Sequence, residues 1–372
     1  GGTHGGPPRD APSWARAPAV MTFARPEPPI AIDRVLDDPS EVHTLIARGS
    51  PYYSVQRYVE NLDQLRALSE AGQDDAPNAP PTPQAPETPH RPMPVAPWFR
   101  GDWCVPGKPM VPGVERFLGH PAFHSAAQQM FRAEVVRPEQ VYVNLNPPIP
   151  KVDPGHVDVP CFRGATRGRL PVWLLQVMQK SELFTAWYVP TATAVAWFYA
   201  GEGGGFMYWP DGPDAPPLSR PCLSNTALMG DNDYMFHAVE AVGGSDREVP
   251  TGLTLDATLR ATDEGYALED RPRDAEGRPT GEVITRKTYA RDAVRISVSW
   301  KALCFATAQD AAHYDRGEDA LDDARILKTF VDDLRARGVS FEEPSDLHGS
   351  PAFTSLLTRT YRRGPRVFAV RA

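Results

Sequence analysis

Three side chains of this sequence could hold one metal ion. His156 and Asp158 stand two residues apart in Pro154-Gly-His-Val-Asp-Val-Pro160, a segment that reads as a strand. Side chains alternate faces along a strand, so both point the same way. His237 lies about eighty residues on, inside the strand-like run Tyr234 to Val242. Two imidazoles and one carboxylate on one face of an ion leave three positions open, the arrangement suited to oxygen chemistry at non-haem Fe(II). A motif this short recurs by chance, and the alternative for His156 is a surface turn between prolines.

A second constellation follows. Residues 293 to 300 read Ala-Val-Arg-Ile-Ser-Val-Ser-Trp, which places Arg295, Ser297 and Ser299 on one face and Val294, Ile296 and Val298 on the other. An arginine on the inner face of a strand is costly unless it meets an anion. A guanidinium fork beside a hydroxyl is shaped for a carboxylate.

The order His156-x-Asp158, His237, Arg295-x-Ser297 resembles the Fe(II)/2-oxoglutarate-dependent dioxygenase superfamily, including its isopenicillin N synthase-like members with an Arg-x-Ser pair, over roughly residues 138 to 306. The resemblance implies a double-stranded β-helix of jelly-roll, cupin-like type. It also implies Fe(II) on His156, Asp158 and His237, 2-oxoglutarate with its far carboxylate on Arg295 and Ser297, and molecular oxygen as a further substrate. The outcome it implies is hydroxylation of a small-molecule metabolite, or its desaturation or cyclisation, with release of succinate and CO2. The intact Asp158 resembles the oxygen-inserting members and not the halogenating ones. Two alternatives stay open: an Fe(II) oxidase or cyclase that does not use 2-oxoglutarate, and a non-catalytic cupin-like binding protein.

One spacing departs from that pattern. Arg295 follows His237 by 58 positions, whereas Arg247 follows it by ten. Arg247 sits in the polar cluster Gly243-Gly-Ser-Asp-Arg-Glu248 without a serine partner, where a solvated turn is the ordinary expectation. Arg295 is therefore preferred, with residues 243 to 291 as an insertion holding a hairpin around Glu276-Gly277-Arg278, and Arg247 is the alternative.

The elements that must position these groups are mainly β with helical decoration. Strand-like runs fall at 141–145, 155–160, 186–189, 194–199, 206–209, 226–229, 234–242 and 293–300, a set of short strands with turn signals between them. Tyr142 and Asn144 share a face in the strand before the motif and are candidates to contact co-substrate or substrate. Most of the aromatic residues between Trp187 and Trp209 are expected to fill the barrel, with some lining its mouth. Helical periodicity appears at 52–68, 114–133, 172–184 and from Leu321 to Gly338. His120 and His124 form an i,i+4 pair, but Pro121 suits a first helical turn with His120 at its cap, so no metal site is expected there.

Residues 1–98 read as an N-terminal helical extension and a proline-rich arm, and 99–372 as the oxygenase domain with its C-terminal helix. The arm carries nine prolines between Ala76 and Pro97, which forbid helix and paired strand. Trp98, Phe99 and Trp103 are expected to dock on the β domain. A chain of 372 residues with 41% hydrophobic content can bury a sizeable core. Its net charge of −8 argues against a nucleic-acid partner, and no apolar run is long enough for a membrane span. Four widely spaced cysteines suit free thiols in a reducing cytoplasm. The Gly-Gly-Thr-His-Gly-Gly start looks like an expression scar with no signal peptide after it, again suggesting a cytoplasmic protein.

Overall fold

The molecule is organised around two packed sheets, and the central strands of the larger are buried on both faces. The computed structural model describes residues 26–60, 95–150, 155–212, 215–245, 247–274, 276, 278–347 and 350–361. The strands there are β1 (Ile30–Ile32), β2 (Tyr52–Ser54), β3 (Phe99–Val105), β4 (Lys108–Pro109), β5 (Val135–Asn146), β6 (Cys161–Phe162), β7 (Tyr188–Val189) and β8 (Thr191–Trp197). They continue with β9 (Phe206–Trp209), β10 (Leu218–Arg220), β11 (Thr226–Gly230), β12 (Phe236–Val239), β13 (Thr258–Ala261), β14 (Gly265–Asp270), β15 (Ile284–Ala290) and β16 (Arg295–Phe305). The helices are α1 (Glu41–Gly49), α2 (Val55–Glu60), α3 (Glu115–Leu118), α4 (Pro121–Phe131), α5 (Val172–Ser181), α6 (Ala308–Arg316), α7 (Asp323–Ala336) and α8 (Pro351–Thr360).

An antiparallel sheet runs in the order β1-β11-β8-β16-β5-β3-β2-β13-β14-β15, with β4 on β3. A second sheet, β10-β9-β12, lies against it, since Phe206 of β9 meets Trp197 of β8 at a ring separation of 5.8 Å. β16 is the spine of the large sheet, paired with β5 on one side and β8 on the other. Its Ile296, Val298 and Trp300 align with Val143, Leu145 and the alanines of β8, and this face packs under α4. Phe123 of α4 closes on Trp300 at 5.6 Å, and the small Ala192, Ala194 and Ala196 admit the helix. The opposite face, carrying Arg295, Ser297, Ser299 and Lys301, looks toward the second sheet.

Another apolar core joins α5, α7 and α8 beside β6 and β7, centred on Phe162, Phe184 and Phe330. α7 realises the amphipathic stretch expected before Gly338, with Asp322 capping its N-terminus through Arg325 N at 2.7 Å. His120 caps α4 as expected: its Nδ1 accepts from Phe123 N, and its Nε2 meets the Val35 carbonyl at 2.6 Å. His124 Nε2 meets the Leu118 carbonyl at 3.1 Å.

Several elements differ from the sequence expectation. The segment 155–160 is not a strand: only His156 bridges to His237, because the flanking prolines lack donors and cannot extend a ladder. The stretch from 114 to 133 breaks at Gly119 into α3 and α4, and residues 185–187 form a 3-10 turn before β7. Residues 52–54 form a strand paired with β3 and β13 before α2 begins; the rest of the helix expected to reach Leu68 lies outside the described residues, as does most of the proline-rich arm. Beyond it, Phe99 and Trp103 are fully buried in β3. Between β12 and β16 the chain forms three strands, of which β14 and β15 make the expected hairpin about residue 276 and β13 adds a further one. Among the described residues no helix is long and apolar enough to cross a membrane.

Candidate metal centre

His156 and His237 are locked together by their own backbones. Each donates its amide to the other's carbonyl, both at 2.9 Å, so the two residues form a narrow antiparallel pair with ring centroids 4.5 Å apart. The pairing requires glycine at 155: its φ is +115°, and a Cβ there would stand 2.3 Å from the Phe236 ring. Two residues on, the Asp158 amide donates to the Asn232 carbonyl at 2.8 Å, which fixes the carboxylate beside the histidines. Donor atoms of His156, Asp158 and His237 all lie within 4.8 Å of one another.

The surrounding bonds decide which atoms face the common point. His237 Nδ1 lies 2.9 Å from the Met235 carbonyl, an acceptor, so Nδ1 carries the proton and Nε2 is left with its lone pair inward. Lys301 Nζ and Thr193 Oγ1 approach Asp158 Oδ2 at 2.8 and 3.4 Å, leaving Oδ1 toward the histidines, 3.9 Å from His237 Nε2. Burial pushes the His237 imidazole down to about 4, against the pull of Asp158, so it is neutral at pH 7. Burial alone would raise Asp158, but Lys301, His237 and His156 together hold its carboxyl well below the usual range. A neutral imidazole and an ionised carboxylate are the protonation states that ligate a divalent ion. His237 is buried while His156 is exposed, so the cluster opens to solvent on the His156 side. These residues fit an iron-type ion by donor chemistry.

No family model matches the sequence, and no curated protein matches it. Its resemblance to solved structures is distant. One such structure is an oxidoreductase of the 2OG-Fe(II) oxygenase family from Burkholderia pseudomallei, with 11% identity and a TM-score of 0.30 over 57% of this chain and 72% of the other. A Pseudomonas putida prolyl-4-hydroxylase shares 12% identity at a TM-score of 0.27, over 72% of this chain and 99% of that one. A prolyl hydroxylase from Trichoplax adhaerens, solved with a hypoxia inducible factor peptide fragment, shares 8% identity at 0.26, over 74% and 93%. Likenesses this distant carry no weight for the site, which rests on its own geometry.

Arg295 is 1% exposed and lies on the same sheet face as Lys301. Its Nε donates to the Gly204 carbonyl at 2.7 Å and its Nη1 to Ser297 Oγ at 3.1 Å, with Asn146 Oδ1 at 3.4 Å. Glycine is needed at 204 as well: its φ is +71°, and a Cβ would come within 2.7 Å of Arg295 Cδ. All these acceptors are neutral, and no carboxylate pairs with Arg295 among the described residues. Asn144 is the register partner of Ser297 and Tyr142 that of Ser299, so both share the face of Arg295. Arg247 lies on the loop after β12 and gives its Nε to the Val242 carbonyl of its own turn at 3.2 Å.

Two residues of the site escaped the sequence reading. Lys301 continues the phase of 295, 297 and 299, a signal present in the alternation but beyond the point where the expected strand ends. Thr193 aligns opposite Lys301 on β8, at a position that reads as ordinary strand threonine. The four cysteines are free thiols, and Cys222 Sγ lies 2.7 Å from the Gly204 carbonyl.

Proposed function

We propose that the protein is an Fe(II)- and 2-oxoglutarate-dependent oxygenase built on a double-stranded β-helix. For the fold, the support is the order β11-β8-β16-β5 set against β10-β9-β12, with the His156 segment laid along β12. For the chemistry, the observation that carries the reading is a pair of features between the two sheets: a His-Asp-His cluster, and a buried guanidinium that lacks an anion among the described residues. A buried cation surrounded by neutral acceptors is expensive, and a ligand carboxylate offsets that cost.

In this reading His156, Asp158 and His237 hold Fe(II), and Arg295 with Ser297 binds the distal carboxylate of 2-oxoglutarate. Bound together, the metal and co-substrate supply the oxidising chemistry that consumes O2 and yields succinate, CO2 and an oxidised small-molecule or peptide substrate. The chain's own residues orient and shield. Lys301 and Thr193 hold Asp158 so that a single oxygen faces the ion, and Met235 fixes the His237 tautomer. Trp197, Phe206 and Met235 wall the interval between the sheets and exclude water from it. Hydroxylation is the default outcome.

The test is succinate release by Fe(II)-loaded protein given 2-oxoglutarate, oxygen and a panel of amino acids and short peptides. Release should require both oxygen and 2-oxoglutarate and vanish in Asp158→Ala. Product formation that continues without 2-oxoglutarate would contradict the reading and favour an oxidase.

A further inference from the structure

Three arginines punctuate the turn after β6, in Arg163-Gly-Ala-Thr-Arg167-Gly-Arg169. Arg163 forks onto Asp319 at 3.0 and 2.7 Å, and Arg169 reaches Asp323 at 2.7 Å. Both therefore bind acids at the start of α7 or just before it. Arg167, between them, turns elsewhere. Among the described residues no carboxylate pairs with it, and its Nε is sealed from solvent without a hydrogen-bond acceptor.

The charges that act on Arg167 are those of Arg100, Asp102, Tyr142 and Asp158, so its guanidinium lies within electrostatic reach of β3, β5 and the metal cluster. Arg100 and Asp102 align with Asn144 and Tyr142 across the β3–β5 ladder. The Arg100 guanidinium lies 3.7 Å from the centre of the Tyr142 ring and 3.0 Å from Asp102 Oδ1, and Gln140 Nε2 lies 3.3 Å from the same oxygen. Two guanidiniums thus face one carboxylate in this corner. Burial and then repulsion by Arg100 push the Arg167 guanidinium down from its ordinary value. Sealing a charged donor away from water without an acceptor is costly, and the cost falls when an anion enters.

The corner is distinct from the Arg295 pocket. Tyr142 is the register partner of Ser299 and Asn146 that of Arg295, four residues or about 13 Å of strand apart. Asp158 is already paired with Lys301, so two guanidiniums beside Asp102 leave the corner net positive among the described residues, which suits an anion such as a carboxylate. The planar fork of arginine also fits a carboxylate with two parallel bonds.

We propose that Arg167, backed by Arg100 on Tyr142, recognises a carboxylate of the substrate that is oxidised, an inference that rests on the oxygenase reading above. The residue selects carboxylate-bearing substrates and places them beside the cluster. The full chain, loaded with Zn(II) as a redox-silent ion and saturated with 2-oxoglutarate, is titrated by ligand-observed NMR. The probes are N-acetyl glycine, leucine, phenylalanine and proline, each as free acid and as primary amide. At least one acid should bind about tenfold or more tightly than its amide, and Arg167→Gln should cut that preference to within about twofold. Arg169→Gln, in the same turn, should keep it. If Arg167→Gln does not fold, Arg167→Lys decides, since loss of the fork should still reduce the acid preference. The proposal is overturned if no acid outbinds its amide, or if the Arg167 variant weakens 2-oxoglutarate as much as the acid, which would assign the residue to the co-substrate. Absence of 2-oxoglutarate binding in the wild-type protein would instead refute the oxygenase reading, and the acid preference measured without it would still decide the role of Arg167.

Discussion

Replacing Arg295 by methionine tests the co-substrate pocket with the least damage to packing. Methionine keeps most of the aliphatic stem that rests on Gly204, whereas alanine would leave a cavity in a site only 1% exposed. What is lost is the charge and the two short bonds to Gly204 and Ser297, at 2.7 and 3.1 Å. If a carboxylate of 2-oxoglutarate completes this site, its cation disappears while the anion must still be buried. Truncating one partner of such a pair costs roughly 2–5 kcal/mol, or a Kd raised about 30- to 5,000-fold. Ser297→Ala removes one neutral hydrogen bond and should cost only about 1 kcal/mol. Calorimetric titration of 2-oxoglutarate into Mn(II)-loaded protein under anaerobic conditions reads both. Mn(II) affinity should be unchanged in Arg295→Met. A loss below about 1 kcal/mol, or an equal loss in Arg247→Ala, would refute the assignment of this arginine.

Three further outcomes are expected. Lys301→Met leaves Asp158 buried without its cation, so the metal-free variant should lose about 3–5 kcal/mol of stability; a metal ion replaces that charge, so Zn(II) should raise the melting temperature of the variant more than that of the wild type. Asp231, 7% exposed with Oδ1 lacking a partner, is pushed by burial up to about 7 from its ordinary 3.8. The unfolded chain thus releases this proton near pH 4 while the folded chain keeps it to about pH 7, so stability falls across that window by up to about 4 kcal/mol. Denaturant midpoints of wild type minus Asp231→Asn should show that slope and flatten above pH 7; a pH-independent difference would remove the buried acid as its cause. Phe330→Ala, which empties a fully buried site between Phe184 and Tyr361 at 5.0 and 5.5 Å, should cost about 3–5 kcal/mol in thermal or denaturant unfolding, and a loss under 1 kcal/mol would mean that the second core does not depend on it.

The legible parts of this molecule are those whose signal is local. Strand β16 is visible because Val294, Ile296 and Val298 alternate with Arg295, Ser297 and Ser299, and the two faces meet opposite environments. α4 is visible because Pro121 after His120 marks a helix start. The His-x-Asp spacing holds although its segment is no strand, since extended backbone alternates side chains with or without a ladder. Other features depend on partners far away in sequence. Nothing near Arg167 shows that its neighbours Arg163 and Arg169 are claimed by Asp319 and Asp323 while it turns inward. Lys301 keeps the phase of Arg295, Ser297 and Ser299 but stands one residue past the expected end of the strand, and its partner Asp158 is 143 positions away in sequence. β13 offers only four residues, and its partners on β2 and β14 lie on either side of it in sequence at very different separations.

The central claim is that one metal and one 2-oxoglutarate share the interval between the two sheets. A crystal structure of the full chain grown anaerobically with Mn(II) and 2-oxoglutarate tests it most directly. The expected density has the ion about 2.0–2.3 Å from His156, Asp158 and His237, with the distal carboxylate of 2-oxoglutarate on the Arg295 guanidinium and Ser297 Oγ. An ion bound elsewhere, or a co-substrate carboxylate on Arg247 or Arg167 with Arg295 left as it is, would contradict it.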